Sequence, residues 1–213
     1  MLRTVPLSRI LRAGALALLA GQLAGCAHMN EAECQLADWR TIGFEDGARG
    51  ADASRIGKHR EVCARHGVAP DLVAYQNGRD EGLRQFCRPA NGFDQGQSGA
   101  TYRGVCPGDL EADFLAAWNA GRQIWEVAAA VRDTEQQLQR REARLAALAE
   151  ELQAAEAELV RDGVTVDRRA ELLAQVKALA EEQGRLDSER TELLIELDRR
   201  QERLAYERAT ADW

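Results

Sequence analysis

The chain has 213 residues and a net charge of −7, with 28 basic and 35 acidic side chains. The first 25 residues contain three arginines and no acid, so a chain cleaved after them carries 25 basic and 35 acidic residues, a net charge of −10. This acidic balance, without any basic stripe, excludes an electrostatic attraction to nucleic acid or to anionic lipid.

The first 25 residues have the features of a bacterial secretory signal. Three arginines precede an almost unbroken apolar run over residues 13–23, which is too short to span a membrane. The run ends in Leu23-Ala24-Gly25-Cys26, a small-residue cleavage site before a cysteine, as in the lipobox of lipoproteins. We therefore expect a signal peptide at residues 1–25 and a mature chain that begins at a lipidated Cys26.

The lipid on Cys26 is the expected membrane anchor. Several acyl chains on one residue, such as palmitate, anchor a protein stably, whereas a single chain does not. Ala27 follows the cysteine where an aspartate would favour retention in the inner membrane. By this sorting rule of Gram-negative lipoproteins we expect the protein at the outer membrane, facing the periplasm.

Four more cysteines follow the lipidation site: Cys34, Cys63, Cys87 and Cys106. An even number of cysteines in an exported segment indicates disulfides, and four cysteines allow three connectivities. We favour pairing the first with the second and the third with the fourth, since each bridge would then close one helix-turn unit. The alternative is a metal site, because Cys63 and His66 have ligand-like spacing, although no second close pair of ligands accompanies them. We expect no metal and no cofactor.

Residues 26–108 form a predicted cysteine- and glycine-rich head. Small residues follow Trp39 at steps of three and four, on one face of a helix: Gly43, Gly47, Gly50, Ser54 and Gly57. Each interior glycine weakens a helix by about 1 kcal/mol, so this stripe needs a compensating contact. Close packing of a neighbouring backbone or ring is one explanation, and a groove for a ligand or peptide is the other. We favour packing.

Residues 91–107 are expected to form an ordered loop that the flanking cysteines hold in place. Ordered surface loops commonly carry binding residues. The candidate binding residues of this segment are Gly92, Phe93, Gly96, Gly99 and Tyr102.

Residues 109–213 have the heptad pattern of a coiled coil. Apolar residues recur every seven positions in the first half: Ile124, Val131, Leu138, Leu145, Leu152 and Leu159. The pattern stops at Arg161-Asp162-Gly163 and resumes at Leu172. We therefore predict an antiparallel helical hairpin with its turn near residues 161–166. The alternative is one long helix that pairs with a second copy.

The hairpin has a predicted register. In an antiparallel pair, the numbers of two opposed residues have a constant sum. The apolar positions of the two predicted helices face each other when this sum is 324. The polar positions of the two seams then coincide, with Arg141 opposite Gln183 and Thr134 opposite Arg190. Polar layers of this kind lower stability but disfavour a slipped register.

The sequence shows no catalytic constellation. His28 lies beside the lipidation site, and His59 and His66 could share a helix face, but a histidine in such a position is more typical of a surface residue than of a catalytic base. No serine lies in a nucleophile elbow, and the glycines do not form a phosphate-binding loop between a strand and a helix. We expect no enzymatic activity and no catalytic residues.

A family resemblance extends over residues 26–125. It rests on the order lipobox, Cys34, Trp39-x3-Gly43-x3-Gly47, Cys63, Tyr75-x2-Gly78-Arg79-x2-Gly82-Leu83, Cys87, Asn91-Gly92-Phe93, Tyr102 and Cys106-Pro107. This order resembles domain-of-unknown-function family 2799 (DUF2799), a set of small proteobacterial lipoproteins. The resemblance implies an envelope lipoprotein with a cysteine-linked helical head and implies no chemistry. The hairpin is an extension beyond the family core.

The sequence thus predicts an all-α protein with a disulfide-linked head and a projecting hairpin. The favoured function is that of a structural or adaptor lipoprotein whose hairpin contacts an envelope protein or the cell wall. The alternative is a head that binds a ligand or peptide, with the hairpin as a spacer. Nucleic acid is not an expected partner, and the membrane is reached through Cys26.

Overall fold

The computed structural model describes residues 29–211 and residue 213, and every regular element in this part of the chain is an α-helix. The elements in order are α1 (Glu31–Gln35), α2 (Trp39–Ala48), α3 (Arg55–Ala64), α4 (Leu72–Phe86), α5 (Pro89–Gln97), α6 (Gly108–Leu159) and α7 (Val166–Thr210). The predicted all-α class is confirmed. The predicted signal peptide and Cys26 lie outside the described residues.

Side-chain caps determine where the two glycine-bearing helices of the head begin. The carboxylate of Asp38 accepts hydrogen bonds from the N–H groups of Arg40 and Thr41 at the start of α2. Asp71 caps the first turn of α4 in the same way. Because the first N–H groups of a helix have no intrahelical partners, each cap contributes about 1 kcal/mol.

Helices α2 and α4 pack with their backbones in contact. A Cβ atom at Gly43 would overlap the carbonyl group of Tyr75, and one at Gly78 would overlap that of Arg40. Only a hydrogen atom fits at either position. The glycine face of α2 is therefore covered by a helix, which confirms close packing and leaves no groove along these glycines.

The predicted stripe of small residues is shorter than expected. Helix α2 ends at Ala48, and Gly50 beyond it has a φ of 67°, a left-handed conformation that favours glycine. Gly57 belongs to the separate helix α3 and has no neighbouring atom within 4 Å of its Cβ position. The continuous helix over these glycines is wrong, because the turn after Ala48 redirects the chain.

Helices α5 and α6 repeat the same close packing. A Cβ atom at Gly96 would overlap the carbonyl group of Trp118, and one at Gly121 would overlap that of Phe93. The expectation of a loop over residues 91–107 is wrong in its first part, because residues 89–97 are α5. Pro89 begins this helix at a position where its missing N–H costs nothing.

The two helix pairs are copies of one unit in sequence as well. Residues 43–51 read GFEDGARGA and residues 92–100 read GFDQGQSGA. Their partners, residues 75–86 and 114–125, share the order aromatic, small, glycine, aromatic at identical spacing. We call α2 with α4 the first copy, and α5 with the start of α6 the second copy.

The copies differ in what connects their two helices. In each copy, a glycine with a left-handed backbone conformation follows the first helix and lies against an aromatic ring of the second helix. This glycine is Gly50, against Phe86, in the first copy and Gly99, against Trp125, in the second copy. The first copy then inserts α3 before α4. The second copy reaches α6 through residues 98–107 without a helix.

Two disulfides hold in place the segments that connect the helices of the two copies. Cys34 bonds to Cys63 and Cys87 bonds to Cys106, so both favoured pairings are confirmed. The first links α1 to α3, and the second links the end of α4 to the segment before α6. The Cys63 sulfur is therefore not available as a metal ligand. Two disulfides indicate an extracellular or periplasmic protein.

The second half of the chain is the predicted antiparallel hairpin. Helix α6 ends at Leu159, residues 160–165 form the turn, and α7 returns along α6. Gly163 has a φ of 83° and makes the turn possible. The apolar seam is closed by Leu148, Leu179 and Leu186. The alternative of one continuous helix is excluded.

Ion pairs connect the two helices of the hairpin at several levels. Arg168 pairs with Glu158 and Arg144 with Glu182 near the tip, and Arg141 pairs with Glu189 further down. Side chains of a helix extend towards its N-terminus, so these pairs join residues that are offset along the two backbones. The facing of Arg141 and Gln183 stays a prediction, and the Arg141 guanidinium binds a carboxylate further along α7.

The second predicted polar position, Thr134, has a hydrogen-bond partner that comes from further along α7 than Arg190. Thr134 is buried and accepts a hydrogen bond from Arg200, not from Arg190. The same guanidinium donates to the Ala130 carbonyl oxygen. Arg200 reaches both acceptors because its side chain extends towards the N-terminus of α7.

Helix α6 belongs both to the head and to the hairpin. It begins at Gly108, close to the predicted boundary, but its first residues up to Trp125 complete the second copy of the head. The hairpin alone therefore begins after Trp125. None of the helices described by the structure is long and apolar enough to cross a membrane.

Candidate ligand-binding cleft

A buried carboxylate lies at the centre of the first copy. Asp46 on α2 is 2% exposed. The Tyr75 hydroxyl of α4 donates to its Oδ2 atom over 2.9 Å, and Nε2 of His59 on α3 lies 2.8 Å from the same oxygen. Arg49 donates to Oδ1 over 3.3 Å. Three helices are thus joined through one carboxylate.

The hydrogen bonds keep this carboxylate ionised. Burial acts to raise the pKa of Asp46, but the hydrogen bonds from His59 and Tyr75 outweigh it, so the pKa lies below its ordinary value. Burial and the hydrogen bond to Asp46 together raise the pKa of Tyr75, which keeps the phenol protonated. A buried charge is tolerated because its lone pairs are occupied by donors.

The second copy has no such centre. Gln95 stands where the first copy has Asp46, and Phe114 stands where it has Tyr75. His59 comes from α3, which the second copy lacks. The charged network is therefore a specialisation of the first copy. Its phenol is protonated and hydrogen-bonded to Asp46, so the network holds the three helices in position.

The network lies at the edge of a cleft between the two copies. The cleft has a volume of roughly 870 Å³. Its cationic residues are Arg49, Arg55, Lys58 and Arg103, and its carboxylates are Asp46 and Asp52. Its aromatic residues are Phe86, Tyr102, Phe114 and Trp118. The floor is a joint core of both copies, in which Phe86 stacks on Phe114 with ring centroids 5.5 Å apart.

Tyr102 is the one predicted binding residue that lines this cleft. Its hydroxyl donates to Glu111 over 2.9 Å and accepts from the N–H of Cys106 over 3.1 Å, so the ring is held in place. Burial raises its pKa, and the phenol stays protonated.

The other candidate binding residues lie in packing contacts. Gly92, Gly96 and Gly99 are covered by Phe114, Trp118 and Trp125 respectively, and Phe93 lies against Gly121 with its backbone. These positions hold α5 on α6, and the cleft lies beside them.

Sequence reasoning missed the residues of α2 and α3 that build the cleft: Asp46, Arg49, Arg55, Lys58 and His59. One signal was available. Asp46 follows Gly43 by three residues and so lies on the glycine face that α4 covers, where a charged side chain needs partners. The identity of those partners depends on long-range packing. Among the residues that the structure describes, no group of three potential metal ligands is brought together.

A protein-family model described as "Protein of unknown function (DUF2799)" matches residues 38–123. Residues 38–123 are a DUF2799 domain. The DUF2799 domain contains the first copy, all residues of the cleft and the second copy as far as Gln123, whereas the hairpin beyond Trp125 lies outside it. The family description gives no activity. No curated protein and no solved structure matches the chain.

Proposed function

We propose that this protein is an outer-membrane lipoprotein that faces the periplasm and acts as a structural or adaptor protein through its hairpin. The anchor in this proposal is lipid on Cys26, at the end of the lipobox. Three residues after this cysteine, Met29 packs on the core around the first disulfide. The disulfides agree with an oxidising compartment.

The observation that carries the adaptor role is the reach of the hairpin. Helix α6 continues for 34 residues after Trp125, which is about 50 Å at 1.5 Å per residue. Two valines flank its turn with their side chains in solvent, Val160 at 80% and Val166 at 83% exposure. A projecting rod with apolar side chains at its far end suits contact with a partner away from the anchor.

Site-specific photocrosslinking in living cells tests this proposal. Glu158 and Arg168 are poor positions for the probe, since they form a bidentate ion pair that holds the tip together. Val160 and Val166 can be replaced without losing such a contact. We expect capture of a discrete envelope protein or cell-wall fragment from these valines, and none from the exposed mid-hairpin Lys177. Capture of nothing, or only of a second copy, would contradict the adaptor role.

A second candidate function is favoured by the cleft between the two copies. In this case the head binds a ligand, and the hairpin is a spacer. The observation that supports it is a cavity lined by charged and aromatic side chains within the family domain. A ligand that binds the head with the hairpin shortened would support this candidate.

A further inference from the structure

The cleft concentrates positive charge in a chain that is acidic overall. Four cationic side chains line it against two carboxylates, a local balance of +2, whereas the whole chain carries −7. Clefts lined by one sign of charge attract ligands of the other sign. The predominant charge of this surface therefore favours an anion.

Three of these cationic side chains have N–H donors that no acceptor in the described part of the chain occupies. Asp46 is already occupied by three donors, and Arg55 approaches it only to 3.9 Å. Neither Lys58 nor Arg103 forms an ion pair or a side-chain hydrogen bond with any residue in the described part of the chain. A guanidinium has five N–H donors and an ammonium has three. Arg55, Lys58 and Arg103 can therefore bind an acceptor in the cleft.

These three cations come from opposite sides of the cleft. Arg55 and Lys58 lie on α3, the helix that only the first copy contains. Arg103 lies in the segment after α5, which the second disulfide and Tyr102 hold against α6. Disulfides and buried hydrogen bonds thus hold in place both segments that carry these charges.

The floor between the cations is aromatic. Tyr102 and Trp118 are partly exposed at the cleft. The Trp118 indole donates to the Ala100 carbonyl oxygen over 3.1 Å, which fixes the ring. Fixed aromatic faces beside guanidinium groups favour a ligand that has a ring as well as a charge.

We propose that the cleft binds a ring-bearing organic anion, with its phosphate or carboxylate group on Arg55, Lys58 and Arg103 and its ring on the aromatic floor. This inference rests on the second candidate function, the ligand-binding head, and names its site and ligand class. It does not depend on the hairpin. Failure of ligand binding would therefore leave the crosslinking test of the adaptor role unaffected.

Calorimetry on the full chain, purified in detergent with both disulfides intact, tests the site. The probes are phenyl phosphate, benzoate and the neutral benzyl alcohol, at low ionic strength. We expect the two anions to bind, the neutral compound not to bind, and added salt to weaken the binding. Equal binding of benzyl alcohol, or no binding of either anion, would overturn the proposal.

Charge-matched variants locate the binding. The triple variant Arg55→Gln, Lys58→Gln, Arg103→Gln should weaken anion binding by about tenfold or more, since it removes charge-assisted hydrogen bonds. The control Arg161→Gln, Arg169→Gln, Arg208→Gln removes the same charge from exposed positions of the hairpin and should change affinity less than about twofold. Equal weakening by both triples would overturn the assignment.

A single substitution tests the site in case the triple variant does not fold. Arg103 is exposed and forms no side-chain hydrogen bond or ion pair within the described residues. Arg103→Glu should therefore keep both disulfides and the helical circular dichroism while it weakens anion binding by about tenfold. Unchanged affinity in this folded variant would overturn the proposal.

Discussion

At the scale of single residues, the head depends on glycines, which have no side chain, and on the buried carboxylate of Asp46. Glycines allow α2 and α4 to touch through their backbones, so the core of the first copy needs few large apolar residues. Asp46 supplies the polar link between these helices and α3. Very small substitutions at either kind of position should therefore change the free energy of unfolding.

Gly47→Ala tests the backbone contact. A Cβ atom at Gly47 would overlap the carbonyl group of Arg79, which is backbone and cannot rotate away. We expect a loss of about 2–4 kcal/mol in the free energy of unfolding, in spite of the better helix propensity of alanine. Urea denaturation measures this loss.

Gly57→Ala is the matched control, since no atom lies within 4 Å of its Cβ position in α3. It should raise stability by up to about 1 kcal/mol. If both substitutions stabilised the protein, the close packing of α2 and α4 would be refuted.

Asp46→Asn tests the buried charge through its pH dependence. The pKa of Asp46 is lower in the folded protein than the ordinary value of about 3.9 expected for the unfolded chain. Its contribution to stability is therefore fully present above about pH 5, and it is lost as the pH falls through the folded-state pKa. We expect the variant to be less stable than the wild type by about 2 kcal/mol at neutral pH, with a gap that narrows in acid.

The measurement is urea denaturation at several pH values from about 7 down to about 2. Asp80→Asn serves as the control, because Asp80 is exposed and has no ion pair within the described residues. A gap for Asp46→Asn that stays constant with pH would show that the carboxylate charge does not contribute.

At the scale of elements, the hairpin is held by an apolar seam and by arginine–carboxylate pairs. Arg144 binds Glu182 through two hydrogen bonds of 3.0 and 3.1 Å. Such exposed pairs contribute little to stability, but they favour one alignment of α6 and α7. The seam itself provides the larger share, because burial of leucine side chains removes apolar surface from water.

Leu148→Ala tests the seam. Leu148 is fully buried between α6 and α7, so its truncation should lower hairpin stability by about 2–4 kcal/mol. Leu173→Ala, at an exposed position of α7, should change it by less than about 0.5 kcal/mol. Thermal unfolding followed by circular dichroism compares the two. Equal effects would mean that the two helices do not pack along this seam.

At the scale of the whole molecule, a duplicated head and a long hairpin share one helix. The head carries both disulfides and the cleft, and the hairpin carries neither. The first part of α6 completes the second copy, so the head should not require the distal hairpin in order to fold.

Replacement of residues 138–186 by a short glycine–serine linker tests this independence. We expect both disulfides to form and the cleft to remain, because the contacts of the two copies extend no further than Trp125. Capture of a partner from the hairpin tip should be lost. Thiol titration and mass spectrometry measure the oxidation state. A reduced or misfolded head would contradict the modular organisation.

Much of this fold is determined by local features of the sequence. Heptad spacing and the glycine at the turn predict the hairpin, and the distribution of cysteines favours the observed pairing. These features act between neighbours in sequence or along one helix face. For that reason the all-α class, the hairpin and both disulfides could be predicted, and the repeat of residues 43–51 in residues 92–100 is visible in the sequence.

The tertiary structure alone decided which surfaces meet. Asp46 and Tyr75 are 29 residues apart, and their contact depends on the pairing of two glycine faces that have several possible partners. The partners of Arg141 and Arg200 depend on the acceptors that the facing helix offers, a carboxylate of α7 for Arg141 and a carbonyl oxygen of α6 for Arg200. The cleft brings Arg55 and Arg103 together from different copies. Helix periodicity specifies a buried face, but the choice of partner depends on packing and charge summed over the whole chain.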